Sequence, residues 1–559
     1  MSDASLRSRR AEADSATSPP AIDPDAKRGD VEVSSIEHFE SKLDETHRRL
    51  KNRHIQLIGI GGTLGTAIVV QIGSALTHGG PASLFIAFTL WSTFILAINS
   101  CLTEMVTWMP ISSPFVRFAD AFVDPALGFA AGINFFVFEA SLVPFEIVAF
   151  NLVLRFWTDK IPVEAVFVFI LVCYFLLNFF AVQWYGESEF WLAIGKVILA
   201  VGLIAFTFVI MLGGNPLHDR FGFRNWDRSV VHHRLTCIGS LGKFLGFLAC
   251  FIQASFTIAG PDYVAMTAGE ASLPRTTLPR AFKSVFFRLS TFFILGSLCV
   301  GIVVPYNDPD LLDALSNAKP GAGSSPYVIA MQHLHIRGLP HIVNALIATS
   351  IFSAGNSYVY CASRTLYGLA LEGKAPKLFA RCTRNGVPYY CVGLTLAIAL
   401  LCFLEVSNSS AVVLQWFVNL VTASQLLNFA IISYTYLRFH KALRLQGIAR
   451  ESLPHRSRWQ PFCAYYALTG TLIMAFVGGY TVFLPGNWNV PTFLFSYTMI
   501  GLVPILFVLW KTIKKTRVQD LRDVTFFATE RVRIDRYEES YIGTPPIGRL
   551  ARLAEYLFA

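Results

Sequence analysis

Four ionisable residues, Glu139, Glu146, Lys196 and Asp262, fall inside apolar stretches long enough to cross a bilayer. A charge at such a depth costs on the order of 3 kcal/mol or more, and such residues mark ion paths, proton relays or counter-charges for a ligand. Glu139 and Glu146 stand seven residues apart in FEASLVPFEIVAFN. That is two helical turns, so both carboxyls share one face, and Pro144 between them is placed to kink the helix. The pair suits a proton relay or a cationic partner; two neutral carboxyls bonded within a bundle would read the same way. Lys196 sits in FWLAIGKVILAVG without a charged neighbour in its run, about two turns beyond Glu187 and Glu189. It reads as a proton carrier, with snorkelling to an interface as the alternative.

A second kind of chemistry lies in the backbone. IGIGGTLGTAIVVQIG, Ile58 to Gly73, places Gly59, Gly61, Gly62, Gly65 and Gly73 in an apolar run. Glycine is a poor helix former, and these clustered glycines invite the backbone to open. SFTIAGPDYVAM, Ser255 to Met266, repeats the theme: Pro261 removes a donor and drives Gly260 out of helical angles, with Asp262 next to it. Opened half-helices offer N–H groups to an anion and C=O groups to a cation, and a zwitterion carries one of each. Small residues also permit close helix packing, which remains the other reading of the first run. Two breaks at corresponding places point to an inverted-repeat transporter, with the leucine transporter as the type example.

These residues need a membrane scaffold to hold them. The 559-residue chain is 53% hydrophobic and only 15% charged, below the roughly 25% charged content of soluble domains. Twelve apolar runs are legible: 55–77, 84–108, 126–154, 163–182, 190–212, 241–266, 286–305, 339–369, 389–406, 411–437, 465–484 and 492–510. The fold expected is an all-α polytopic membrane protein of twelve transmembrane helices, a leucine-transporter-like 5+5 inverted repeat plus two extra helices. Residues 51–511 form the membrane domain, 1–50 a disordered tail and 512–559 a second tail. Basic residues gather before the first run and in alternate loops, at Arg275–Lys283, Lys374–Arg384 and Arg438–Arg458, which places both termini in the cytoplasm. The loop with Arg220, Arg224, Arg228 and Arg234 runs against that rule. The net charge of +9 therefore bears on orientation and gives no case for nucleic acid. Ten cysteines and twelve histidines form no CxxC, HExxH or paired-ligand pattern. With no catalytic triad, metal motif or phosphate loop, an enzyme is a poor reading, and no cofactor or metal is expected.

RHIQLIGIGGTLGTAIVV, GEASLPRTTLPRAF and FSAGNSYVYCASRTLYGLALEGKAPKLF resemble the signatures of fungal amino acid permeases, of the amino acid–polyamine–organocation superfamily. The similarity spans roughly Arg53 to Trp510. It implies amino acid import across the plasma membrane by alternating access around the first and sixth spans, with the proton gradient as driving force. By the resemblance, N–H groups at Gly65, Thr66 and Ala67 hold the substrate carboxylate, and carbonyls of Ile60, Ile258 and Ala259 hold its ammonium. Gly260 and Asp262 complete the second break, and Asn356 of the eighth run faces the first break or the substrate. Lys196 matches a lysine implicated in proton coupling, and Glu146 a carboxylate beside the substrate path; Glu139 has no counterpart. The chain departs from the family at Ala67, usually glycine, at Val69, usually phenylalanine, and at Pro261-Asp262, usually Thr-Glu. Implied partners are an amino acid, protons, the lipid bilayer and ubiquitin-dependent trafficking factors on the tails. Two alternatives stand beside this reading: a non-transporting amino acid sensor, and a transporter of polyamines or other organic cations.

Overall fold

A computed structural model describes residues 55, 65–158, 160–180, 182–226, 239–317, 325–383, 386–526 and 528–541, with backbone alone at 182–190, 528–530 and 540–541. The predicted tail 1–50, Ile60, and Gly59, Gly61 and Gly62 lie outside the described residues, as do the side chains of Glu187 and Glu189.

A π-helical turn, Ala67–Gln71, leads into α1 (Ile72–Trp108). Then follow α2 (Pro114–Phe122), α3 (Pro125–Leu154), α4 (Val163–Phe180), α5 (Val182–Met211), α6 (Ser240–Thr257) and α7 (Pro261–Met266). Next come α8 (Pro274–Arg288), α9 (Leu295–Val303), α10 (Pro309–Asn317), α11 (Pro326–His333), α12 (Leu339–Leu371) and α13 (Tyr389–Ala399). The chain closes with α14 (Ser410–Leu445), α15 (Phe462–Val477), α16 (Val490–Lys514) and α17 (Ala528–Tyr541). No strand occurs among the described residues. Among the described residues, ten helices are long and apolar enough to cross a membrane, and α15 is a shorter apolar one.

The first two predicted runs form one continuous stretch, Ala67–Trp108, bent where Gly80 takes φ 80° and ψ 172° ahead of Pro81. Only glycine adopts that backbone without strain, so the bend has a sequence cause. The seventh run is longer than hydropathy alone predicts: helix begins at Pro274, and the span covers Pro274–Val303. Its first turns, PRTTLPRAFK, are too polar to register as apolar, yet Pro274 starts the helix and Leu278, Ala281 and Phe282 face the core.

The helices pack as two sets. α1 runs along α6, α8 and α9, while α3 lies between α12 and α14. α3 is apolar on every side and largely buried, as a helix at the centre of a bundle must be. It starts cleanly because Asp124 caps Ala126 N at 2.8 Å, with Pro125 in the first turn. Lys511 and Thr516 hold the same carboxylate at 2.6 and 2.7 Å, tying α16 to the start of α3. Large apolar side chains such as Phe169, Phe175, Trp191, Phe476 and Ile505 face outward from α4, α5, α15 and α16, as helices in lipid do.

At the end of the bundle rich in basic residues, the chain after α16 folds back onto the helices. Gln519 N donates to Val123 O at 2.9 Å, and Arg438 Nη2 to Gln519 O at 2.7 Å. Gln446 donates to the carbonyls of Leu521 and Val524 at 3.0 and 2.9 Å, and Phe526 packs on Phe122 and Phe439. α17 then reaches the start of α8, where Arg275 N donates to Glu538 at 2.9 Å and the Arg275 guanidinium pairs with Asp535.

The same end carries a buried ion pair between Asp120 of α2 and Lys374, whose ammonium also meets Glu372 at 2.7 Å. Burial pushes the Asp120 carboxyl up to about 6 despite Lys374. Burial alone would lower Lys374, but the two carboxylates carry it above its usual range. The signs differ. Asp120 is harder to ionise folded than unfolded, so its contribution to stability falls as pH rises from the ordinary carboxyl range through 6. Lys374 contributes below its ordinary range and loses that contribution only in strong base. In Lys374→Met the burial remains and the cation is gone, so the Asp120 carboxyl band in infrared titration moves above 6. Titration near 4 in both proteins would contradict this assignment.

Candidate functional site

α6 ends at Thr257 and α7 begins at Pro261, so the sixth run is two helices with an opened linker. Ile258 is extended, and Gly260 has φ 144° and ψ −38°, a conformation that side chains rarely permit. Asp262 accepts from Gly260 N at 3.2 Å and so caps its own half-helix. The last carbonyls of α6 lose their intrahelical donors at such an end.

This break opens on a cavity. Gly65, Thr66 and Ala67 form one wall, immediately before the π-helical turn. Thr257, Ala259 and Tyr263 form the wall opposite in sequence. α3 contributes Phe138, Leu142, Phe145 and Glu146, spaced so that one helical face fills the third side. Val421 and Gln425, one turn apart on α14, close it, with Tyr358 of α12. Phe145 and Phe256 meet edge to face, centroids 5.4 Å apart, between α3 and α6. A second cavity lies further along the first run, beside Val70, Gln71 and Ser74.

Glu146 joins the parts. Its carboxylate accepts from Thr66 Oγ1, and a side chain added at Gly65 would meet its Oε1 at 3.5 Å. Lys196, 3% exposed, lies within electrostatic range of the same carboxylate. Thus α3, α5 and the first run share one charged group. Glu139 is fully buried beside Asp262, and its carboxyl neighbours the Tyr263 hydroxyl without a well-formed bond.

The structure therefore gathers Gly65, Thr66, Ala67, Ala259 and Glu146 around one cavity, with Ile258 and Gly260 flanking Ala259 in the break. Asn356 is placed differently. Its carbonyl accepts from Asn178 Nδ2 at 2.8 Å, and it is not among the residues lining the cavity. Trp416 stacks on Phe495 and donates to Thr492. Two polar residues escaped sequence reading. Gln425 lies in a long apolar run where an amide gives no signal by itself. Arg288 is 6% exposed within electrostatic range of Asp262, and its three guanidinium nitrogens have no hydrogen-bond partner. It falls near the start of the predicted seventh run, where an arginine looks interfacial. Asp308, Asp310 and His333 also come together, at an exposed site away from both cavity linings.

Comparison with known proteins places these features. The chain is 49% identical over 502 residues to the general amino acid permease AGP2 of Saccharomyces cerevisiae, spanning 87% of this chain and 84% of that one. It is 38% identical over 539 residues to a proline-specific permease of Emericella nidulans, 96% of each. It is also 38% identical over 497 residues to a dicarboxylic amino acid permease of Saccharomyces cerevisiae, 88% of this chain and 81% of that one. The sequence profile of the amino acid permease family matches residues 54–523. A broken sixth run beside a cavity that Gly65, Thr66 and Ala67 also line, and a match over nearly the whole membrane-embedded length, lead to one conclusion: this chain belongs to the amino acid permease family.

Proposed function

We propose that this protein imports amino acids across the plasma membrane together with protons, by alternating access around the two broken runs. The observation that supports the reading is the cavity walled by Gly65, Thr66 and Ala67, by the break of the sixth run and by Glu146. Gly65, Thr66 and Ala67 present N–H groups to the substrate carboxylate, and the carbonyls of Ile60, Ile258 and Ala259 receive its ammonium. α1 and its partners α6 to α9 rock against the set built on α3, α12 and α14. In this reading the ten long helices, the split of Ala67–Trp108 at Gly80 and the short α15 make twelve spans, arranged as a 5+5 inverted repeat with two helices added. Both termini face the cytoplasm. The second cavity, beside Val70 and Ser74, is the outer vestibule. Lys196, Glu146 and Glu139 carry or relay the proton. The relatives' names include general, proline-specific and dicarboxylic permeases, so family membership alone does not select the cargo.

The test is uptake of labelled amino acids at two external pH values, in yeast lacking its own permeases. Saturable uptake, faster at acid pH and abolished by a protonophore, is the expected result. Correctly localised protein that takes up nothing would overturn it in favour of a sensor.

A second reading has one observation in its favour. Phe138, Phe145, Phe256, Tyr263 and Tyr358 line the same cavity as Glu146, and aromatic rings with a carboxylate suit an organic cation. Such a cargo makes no use of the N–H groups at the first break. Strong competition by plain amino acids decides against it.

Ala67 narrows the wall where the family usually has glycine. Ala67→Gly is expected to widen the range of amino acids that compete for uptake, those with bulk near the α-carbon gaining most. An unaltered competition profile would remove the steric argument.

A further inference from the structure

Most polar side chains around the cavity already have partners. Thr66 donates to Glu146, and Thr257 Oγ1 accepts from Gln253 Nε2 at 3.2 Å. Tyr358 has a partner in Tyr263. Gln425 differs: it is among the residues lining the cavity, it is 1% exposed, and its amide Nε2 has no hydrogen-bond partner among the described residues. A buried donor left unmade is costly, so such a group persists where something else completes it. α14 holds it firmly in place. Asn134 of α3 donates to Ser424 O at 2.8 Å and to Asn428 Oδ1 at 2.9 Å, on either side of Gln425 in sequence.

What reaches Gln425 follows from what the breaks consume. If both charged ends of an amino acid are held at the two breaks, the part left to face α14 is the side chain. The same cavity is lined by the apolar Phe138, Leu142 and Val421. A cationic side chain carries no acceptor for the amide N–H, and a carboxylate adds a second negative charge near Glu146. A hydroxyl or a neutral amide carbonyl meets neither objection and accepts the waiting N–H.

We propose that Gln425 reads the substrate side chain, favouring neutral amino acids that carry a hydrogen-bond acceptor over apolar ones of similar size. The proposal rests on the amino acid transport reading given above. It is tested by competition against labelled uptake with two matched pairs, serine with alanine and asparagine with leucine. In the wild type, serine and asparagine inhibit about tenfold more strongly than their apolar counterparts, the size expected for one completed buried hydrogen bond. Gln425→Leu brings both ratios close to one while uptake of alanine and leucine persists. Gln425→Glu keeps an acceptor and the volume but loses the amide donor, and it too loses the preference. Equal inhibition within each pair by the wild type overturns the proposal, as does a preference that survives Gln425→Leu. Should Gln425→Leu fail to reach the plasma membrane, the wild-type ratios decide alone. Absence of all amino acid uptake by localised wild type overturns the transport reading itself, and so is distinct from uptake without preference.

Discussion

Lys196→Met is expected to reach the membrane and to lose acid-stimulated accumulation of substrate, by roughly 100-fold or more. Lys196 is 3% exposed and lies within electrostatic range of the carboxylate that also receives the Thr66 hydroxyl. Removing one partner of a buried charge pair typically costs about 3–5 kcal/mol, and 2.7 kcal/mol is about a factor of 100. The remaining carboxyl escapes that penalty only by holding a proton permanently, and a group that never gives up its proton couples nothing. Methionine keeps most of the stem's packing, so the defect falls on charge and not on shape. The measurement is accumulation in membrane vesicles with and without a pH gradient, alongside exchange of labelled for unlabelled substrate without one. Exchange survives while gradient-driven accumulation is lost. Accumulation at the wild-type level would sink the role given to Lys196.

The second large effect is on stability. Glu104 of α1 is fully buried and accepts three hydrogen bonds: from Tyr436 of α14, from Arg450 at 2.7 Å, and from Ser457 N at 2.7 Å. One carboxylate thus joins α1 to α14 and to the loop before α15. Glu104→Ala leaves a guanidinium, a phenol and an amide without their acceptor, a loss of about 3–5 kcal/mol. The melting temperature of the purified protein in detergent should fall by roughly 5 °C or more. Glu104→Gln keeps one acceptor and falls less. A change within a degree for Glu104→Ala would show that the cluster reorganises without cost. This prediction concerns the fold, so its outcome is independent of whether the protein transports amino acids.

The sequence and the structure agree best where backbone chemistry is written in residue types. The sixth run was legible as a break because Gly260-Pro261 leaves few alternatives, and the structure opens it there. Helix positions followed from hydropathy because lipid rewards continuous apolar runs. The polar start of α8 was not legible for the same reason. Arg288 therefore looks like an edge residue in sequence, although it is buried within electrostatic range of Asp262. The intrinsic charges Glu146 and Lys196 could be singled out one at a time, but their proximity depends on how α3 and α5 meet the first run. Periodicity within one helix carries no information about that. Gln425 shows the limit most plainly: it is polar in sequence, but its missing partner exists only in three dimensions.

The segment from Gln519 to Tyr541 has a practical consequence. It supplies acceptors to Arg438, Gln446 and Arg275, which belong to helices from both packing sets. A truncation just after α16 would remove these bonds from α8 and α14 at once, so a shortened protein that loses activity would say nothing about trafficking signals in the part removed. The same stretch is a natural attachment point for a reporter. A fluorophore on α17 would sense whether α8 stays close to α14 as the protein works, with no change to the cavity at all.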